Sequence, residues 1–316
     1  MRNYLIIYLL FAISCNQNAQ ENRTEQSNKI KIIKEPQLTE LVEIHENGNN
    51  FNIDTVSDIK KGDKERSASF IKSRLQKLVG NSLKEICEKE GIYYPPKFII
   101  FRTFKMEKEF EIWGANKRSD SLHLLLTLPI CAMDFEPGPK LEEGDGKTPE
   151  GFYNSQMQYW SQADYMWIKL NNNDIDTYGS VGDGSSFKIF LDYPNRFDWH
   201  QTKMIKKHST PGGAIFIHGN CVSIGCLSFE NRNYLPLFLF ALGHDQNKYG
   251  KIKIHIFPFR FTEELKKKYA KTGNTITEKQ MLSYWNNLEE GYNLFEAKRK
   301  ALKVSVSTTK YTYLTY

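Results

Sequence analysis

The chain has no apolar run long enough to cross a bilayer as a helix. The longest clear one, Tyr4 to Ile13, is far short of the roughly 20 residues that a span needs. Cysteine is scarce: Cys15, Cys87, Cys131, Cys221 and Cys226 are too few for a disulfide scaffold in a chain of 316 residues. A single bridge is possible in an oxidising compartment, but spacing does not choose it. Basic residues are not concentrated either. Lys and Arg exceed Asp and Glu by 43 to 37, and no stretch is dense enough to track a nucleic-acid backbone. His218, Cys221 and Cys226 lack a fourth nearby ligand and the usual close Cys pair, so no zinc site, other metal or cofactor is expected. Internal repeats are missing too. What remains is 40% hydrophobic and 13% aromatic content, enough for a globular core.

The N-terminus has the plan of an export signal. Arg2 precedes the short apolar stretch, which ends at Ser14-Cys15 and turns polar at once. Cys15 at such a cut resembles the lipobox of bacterial lipoproteins, although Ala12 stands where Leu is usual. The reading is a signal at 1–14, Cys15 as a lipidation candidate, and a polar tether over 15–66 with a short strand at Leu41–Ile44 as its one candidate element. The chain would then be anchored to a membrane by lipid and not span it.

Helical signals begin near Ser67, where Ile71, Leu75, Leu78 and Val79 share a face. Ser82-Leu83-Lys84-Glu85 reads as a capping box for a second helix, which Gly91 ends before Pro95-Pro96. The period then changes. Lys97–Phe104, Glu109–Trp113 and Leu122–Ile130 are strand-like runs joined by polar turns, an antiparallel sheet. Further strands are expected at Met166–Leu170, Phe187–Leu191, Ala214–Ile217 and Lys251–Phe257. After Phe261 a helical stripe of Met281, Trp285, Leu288, Tyr292 and Phe295 marks a packing face. The last dozen residues suit one more strand or a loose tail.

Three segments carry possible chemistry. Gly144-Asp145-Gly146-Lys147-Thr148-Pro149-Glu150-Gly151 specifies a shaped loop. Asp145, Thr148 and Glu150 are its candidates for lining a substrate cleft, although Asp145 could equally close a turn. In Ile215-Phe216-Ile217-His218-Gly219-Asn220 an apolar strand delivers a His, and Gly219 lets the backbone turn away. In Ser223-Ile224-Gly225-Cys226 a glycine precedes a thiol. A free thiol is mostly protonated at neutral pH and needs a base and backbone N–H donors to act as a nucleophile on an amide. His218 and Cys226, eight residues apart, would supply base and nucleophile, although a buried His and a buried Cys are the default for such a pair. Cys221 reads as a packed residue or a redox partner of Cys226. His255 reads as a satisfied structural histidine, and Trp160, Trp167 and Trp199 read as core.

These motifs occur in a fixed order with others: Phe101-Arg102-Thr103-Phe104-Lys105, Glu111-Ile112-Trp113, Leu128-Pro129-Ile130-Cys131, Gly138-Pro139-Lys140, Glu143 to Tyr153, His218 to Cys226, and His255 to Arg260. The segment from Lys97 to Arg260 resembles the catalytic domain of the YkuD-type L,D-transpeptidases, and specifically their YafK-like branch. The resemblance covers about half of the chain. It implies Cys226 as nucleophile, His218 as general base and acid, and Ser223, Gly225, Gly219 and Asn220 as residues that shape the loop and oxyanion site. It also implies peptidoglycan stem peptides as substrate, attacked at an amide next to diaminopimelate. Two departures stand out: the broad family carries His at Ile224 and Arg at Ser228. The YafK-like branch shares the Ile and the short His–Cys spacing, and its members are associated with detaching an envelope lipoprotein from peptidoglycan.

The expected architecture is α+β, a β-rich, β-sandwich-like catalytic domain over 97–261, with a helical lead-in at 67–96 and a helical extension at 262–316. The expected function is an envelope cysteine acyltransferase or hydrolase on peptidoglycan. A linked lipoprotein is a possible partner, and a catalytically inactive tethered peptidoglycan-binding module is the non-enzyme alternative.

Overall fold

The computed structural model describes Gln76 and residues 80–158, 166–171, 174–179, 188–219, 221–271 and 276–316. All lie in the unit that runs from Phe51 to Tyr316. Cys15, the strand at Leu41–Ile44, the helix from Ser67 and the indole of Trp160 fall outside the described residues.

The fold is α+β and β-rich. Helix α1 (Asn81–Lys89) leads in and ends before Gly91, whose φ of +70° a side chain would resist. Its capping box does not form. Gly80 is already helical, so Ser82 sits inside the helix with no terminus to cap. Strands β1 (Phe98–Phe104), β2 (Glu109–Ala115) and β3 (His123–Pro129) form the expected meander. Next come β4 (Gly151–Gln158), the hairpin of β5 (Met166–Asn171) and β6 (Asp174–Gly179), and β7 (Lys188–Leu191). Helix α2 (Arg196–Ile205) separates β7 from β8 (Phe216–Gly219) and β9 (Leu227–Phe229). Helix α3 (Asn231–Gln246) then returns the chain to β10 (Lys253–Phe257). Helices α4 (Glu263–Ala270) and α5 (Glu278–Lys298) and a hairpin of β11 (Leu302–Val306) and β12 (Tyr311–Thr315) complete it. The expected helical extension therefore ends in two strands.

Eight strands form one mixed sheet in the order β3-β2-β1-β10-β4-β7-β8-β9. The pairs β1–β10 and β8–β9 are parallel and the others antiparallel. The outer strands do not stay apart. Ala132, just after β3, bridges Ser228 of β9, so the sheet nearly closes on itself. The expected α+β, β-rich architecture is thus built as one curled sheet.

The C-terminal elements share the main core. Trp285, Leu288 and Phe295 of α5 are fully buried with Phe104, Phe257 and Tyr311. A Cβ on Gly291 of α5 would lie 2.5 Å from the Tyr313 ring and 2.7 Å from Phe152, so glycine there permits the close crossing. Arg102 is completely buried, paired with Glu111 at 3.2 Å and Glu296 at 2.8 Å, with its guanidinium 4.1 Å from the Phe295 ring centroid. His255 is also interior, 4.7 Å from the Phe152 ring, and burial drives its pKa well down. Its Nδ1 has no hydrogen-bond partner, so it is a core ring but not the satisfied histidine expected.

Candidate functional site

Strands β7 and β8 alternate by exposure. Ile189, Leu191 and Ile217 face the interior, whereas Lys188, Phe190, Phe216 and His218 are half-open. Phe190 stands opposite Phe216, and Ile189 opposite Ile217, so continuing the ladder sets Lys188 beside His218. On the other side His218 pairs with Ser228. Side chains two apart share a face, which puts Cys226, just before β9, on the side of Ser228 and His218. Lys188 and His218 are thus half-open on β7 and β8, and Cys226 lies buried just before β9, the strand paired with β8.

His218 is held through one nitrogen. Its Nδ1 lies 2.5 Å from the Gly219 carbonyl oxygen, an atom that can only accept. This contact fits a ring protonated on Nδ1, the tautomer that would leave Nε2 to act as a base. Ser228 Oγ donates to the same carbonyl at 3.3 Å, so Gly219 O anchors both side chains.

Cys226 is a free thiol, only 9% exposed. It donates to Ala214 O at 3.7 Å. Burial pushes the thiol pKa up, while the Phe216 backbone and the cations Lys188 and Lys140 pull it back. Ser223 shapes its loop: the hydroxyl donates to Cys226 O at 2.7 Å and accepts from Gly225 N–H at 3.0 Å. Gly225 must be glycine. Its φ is +126°, and a Cβ would sit 2.8 Å from Lys147 O, so the glycine-rich loop presses against the residue before the thiol. Val222 and Ile224 are 65% and 81% exposed at the lip. Asn220 lies outside the described residues.

The ends of this loop are fastened to one segment. Cys221 forms a disulfide with Cys131, with Cα atoms 5.4 Å apart. Cys131 N–H and Ala132 N–H donate to Ser228 O at 3.0 and 3.2 Å, and Ser228 N–H donates to Ala132 O at 2.8 Å. Cys221 is thus neither a simple packed residue nor joined to Cys226. Spacing could not find this bridge, because its partners are 90 residues apart.

The glycine-rich loop carries its polar side chains inward. Thr148 and Glu150 are 0% and 1% exposed and so do not line an open cleft. Glu150 accepts from Gly138 N–H at 2.6 Å, Trp285 Nε1 at 2.9 Å and Lys105 Nζ at 3.3 Å. Burial still raises its pKa. Lys105, wholly buried, also reaches Asp134 at 3.1 Å and the carbonyls of Gly138 and Thr148. Asp145 closes a turn, accepting from the N–H groups of Leu141, Glu142 and Lys147, and pairs with Lys140 at 2.6 Å. Lys188 is the residue that sequence reading missed; its only signal was one lysine at the start of an alternating strand. Trp199 is 42% exposed and not core, and the Trp167 side chain lies outside the described ones. Among the described residues no group of three His, Cys, Asp or Glu side chains is arranged to hold a metal, and no helix is long and apolar enough to cross a membrane.

Chemically, this site offers a buried thiol, an oriented imidazole and cations, a set suited to nucleophilic attack on a carbonyl. No family model matches the chain. Over 213 residues it is 29% identical to "Putative L,D-transpeptidase YafK" of Escherichia coli K12, covering 67% of this chain and 72% of that protein. The protein of the same name from Escherichia coli O157:H7 matches equally. Among solved structures, a point mutant of the helical cell shape determining protein Pgp2 of Campylobacter jejuni aligns at 17% identity with a TM-score of 0.33, over 76% of this chain and 80% of that one. Bd1075 of Bdellovibrio bacteriovorus aligns at 17% and 0.28, over 66% and 74%. These TM-scores are too low to carry an argument, and the sequence likeness is what counts. It makes the chain similar, over two thirds of its length, to a protein named as a putative L,D-transpeptidase, and supports a YafK-like, L,D-transpeptidase-related reading.

Proposed function

We propose that the protein is a cell-envelope cysteine acyltransferase that acts on peptidoglycan stem peptides. The observation that supports this is a half-exposed His218, its Nδ1 against Gly219 O, on the strand paired with β9, just before which lies the free thiol of Cys226. The YafK likeness supplies the reaction class.

In the first half-reaction Sγ of Cys226 attacks the amide carbonyl that follows the L-centre of diaminopimelate. Its proton passes to His218 Nε2. The Gly225 N–H is engaged by Ser223, so the Cys226 N–H is the nearer loop donor for the oxyanion. Collapse breaks the C–N bond, and His218 returns the proton to the departing amine. A thioester remains on Cys226. In the second half-reaction an amine or water loses its proton to His218 and attacks the thioester, and the thiol leaves reprotonated.

The Cys131–Cys221 disulfide fits an oxidising envelope compartment. Export through 1–14, a lipid on Cys15 and a tether over 15–66 belong to the same proposal, as does a catalytic segment over 97–261 with flanks at 67–96 and 262–316.

The test is incubation of the purified protein with sacculi and mass spectrometry of the products. New 3→3 linkages identify transfer to an amine, and released peptide or protein without them identifies hydrolysis. Cys226→Ala should lower either by at least about a thousandfold, as nucleophile removal does in enzymes that use a covalent intermediate. Full retained activity in Cys226→Ala overturns the proposal. Because burial raises the thiol pKa, the thiolate fraction at neutral pH is smaller than for free cysteine. Alkylation of Cys226 should be slow at pH 7 and climb at a higher pH than for a free thiol.

A further inference from the structure

A cleft of about 270 Å³ lies at the turn between α3 and β10, and none of its wall belongs to the thiol loop. The wall includes Ser155 of β4, His244 and Asp245 from the last turn of α3, and Lys248 and Lys251 of the turn itself. His244 is the unusual member. It is 1% exposed, and neither Nδ1 nor Nε2 has a hydrogen-bond partner. A buried polar group left in this state costs stability, and native folds rarely keep one without a use. Burial lowers the pKa of the ring to about 4, against the pull of the backbone at Gly250 and Lys97, so the ring is neutral near pH 7. A neutral imidazole gives one hydrogen bond and takes another. Ser155 is buried too, and its Oγ accepts from Ile252 N–H at 2.9 Å, which leaves its own proton to donate. Lys248 and Lys251 are exposed and have no ion-pair partner among the described residues.

We propose that this cleft is a binding site for a phosphate group that keeps one acidic hydroxyl, either hydrogen phosphate or a phosphate monoester. Lys248 and Lys251 supply the positive charge, Ser155 supplies a hydroxyl donor, and His244 and Asp245 supply acceptors for the P–OH. The wall selects this class because it both gives and takes protons. An ammonium only gives and a carboxylate only takes. A sulfate or a ligand carboxylate has no proton to give, so it would set its charge against Asp245 and leave the bare ring nitrogen unmet. A phosphate monoester loses its second proton only near pH 6, so it can bring a hydroxyl and a negative charge together. The cleft is near the lower size limit of small-molecule sites, about 300 Å³, which suits a phosphate with a short ester arm. The site is independent of the reaction proposed at Cys226.

Calorimetric titration of the full chain tests it, at about pH 6.5, where the second phosphate proton is partly retained. The ligands are inorganic phosphate, sulfate and glycerol phosphate. Phosphate should bind saturably, and sulfate at least about fivefold more weakly, since it offers the acceptors one hydrogen bond fewer. Lys248→Ala with Lys251→Ala, both on the surface, should weaken phosphate at least about tenfold, as the loss of charge-assisted hydrogen bonds does. His244→Phe keeps a ring of similar shape without the two nitrogens. Its melting temperature should hold or rise, and its preference for phosphate over sulfate should shrink to within about twofold. Tighter binding of glycerol phosphate than of inorganic phosphate identifies an esterified group as the occupant, and the reverse identifies the free ion; both uphold the proposal. Absence of saturable phosphate binding, equal binding of sulfate in the wild type, or undiminished phosphate binding in the double lysine variant overturns it. A His244→Phe variant that folds and still prefers phosphate as the wild type does also overturns it.

Discussion

The loop at Gly144–Gly151 and the loop at Cys221–Cys226 are both short and glycine-bearing. They differ in where their polar atoms find partners. In the first, Thr148 and Glu150 point inward, and Glu150 joins Lys105, Gly138 and Trp285 in a buried network. In the second, Ser223 closes the turn on its own backbone, while Val222 and Ile224 stay exposed. One loop is scaffold, and the other carries the proposed nucleophile. They meet at Gly225, where the backbone of Lys147 leaves no room for a side chain. A polar glycine loop therefore marks shape, and burial decides whether that shape serves the fold or the substrate.

Three changes should break or sharpen this contrast. The largest effect is expected in the scaffold loop. Glu150→Ala leaves Lys105 buried with one counter-charge fewer and deprives Trp285 Nε1 and Gly138 N–H of their acceptor. Breaking a buried pair in this way costs about 3–5 kcal/mol. Thermal or urea unfolding should show that loss, whereas the alkylation rate of Cys226 in the molecules still folded should barely change. A large rate change at intact stability would make Glu150 a site residue after all. Next is the disulfide. Cys131→Ala with Cys221→Ala should cost about 2–5 kcal/mol, the usual loss on removing a native bridge, and should also speed Cys226 alkylation by loosening its loop. Unaltered stability and alkylation would mean that the backbone bonds of Ser228 fasten the loop alone. The smallest is Ser223→Ala. Losing two local hydrogen bonds should lower kcat about tenfold with KM nearly constant, and lower the melting temperature by only a few degrees, since each such bond contributes about 1 kcal/mol to stability. A fall in stability without a fall in kcat would reverse the contrast.

Much of this was legible in the sequence. The first three strands, β7, β8, β10 and the packing stripe of α5 follow from their periods of two and of about 3.6. Cys226 and His218 stood out because each has a glycine beside it. Other features need the third dimension. Helix α2 has a capping box of Asn195 and Asp198, yet its short interior of mixed residues hid it among strands. Helix α3 is apolar on most of its length, so its period is flat, and Pro236 argues against it locally. Strand β9 has three residues, too few for any alternation to register. The inward turn of Glu150 depends on Trp285, 135 residues later, and the approach of β7 to the strand of His218 depends on a ladder with β8. Composition cannot report either.

The bridge between Ala132 and Ser228 has a consequence for how a peptide can enter. An open sheet edge invites a peptide to bind as one more strand, through its main chain. Here the outer edge of β9 is already occupied: Ser228 N–H and C=O pair with residues 131 and 132. A substrate therefore finds no ladder to extend next to the nucleophile. It must be held across the face of the sheet, by side chains, and its recognition depends on what those side chains carry rather than on backbone that any peptide shares.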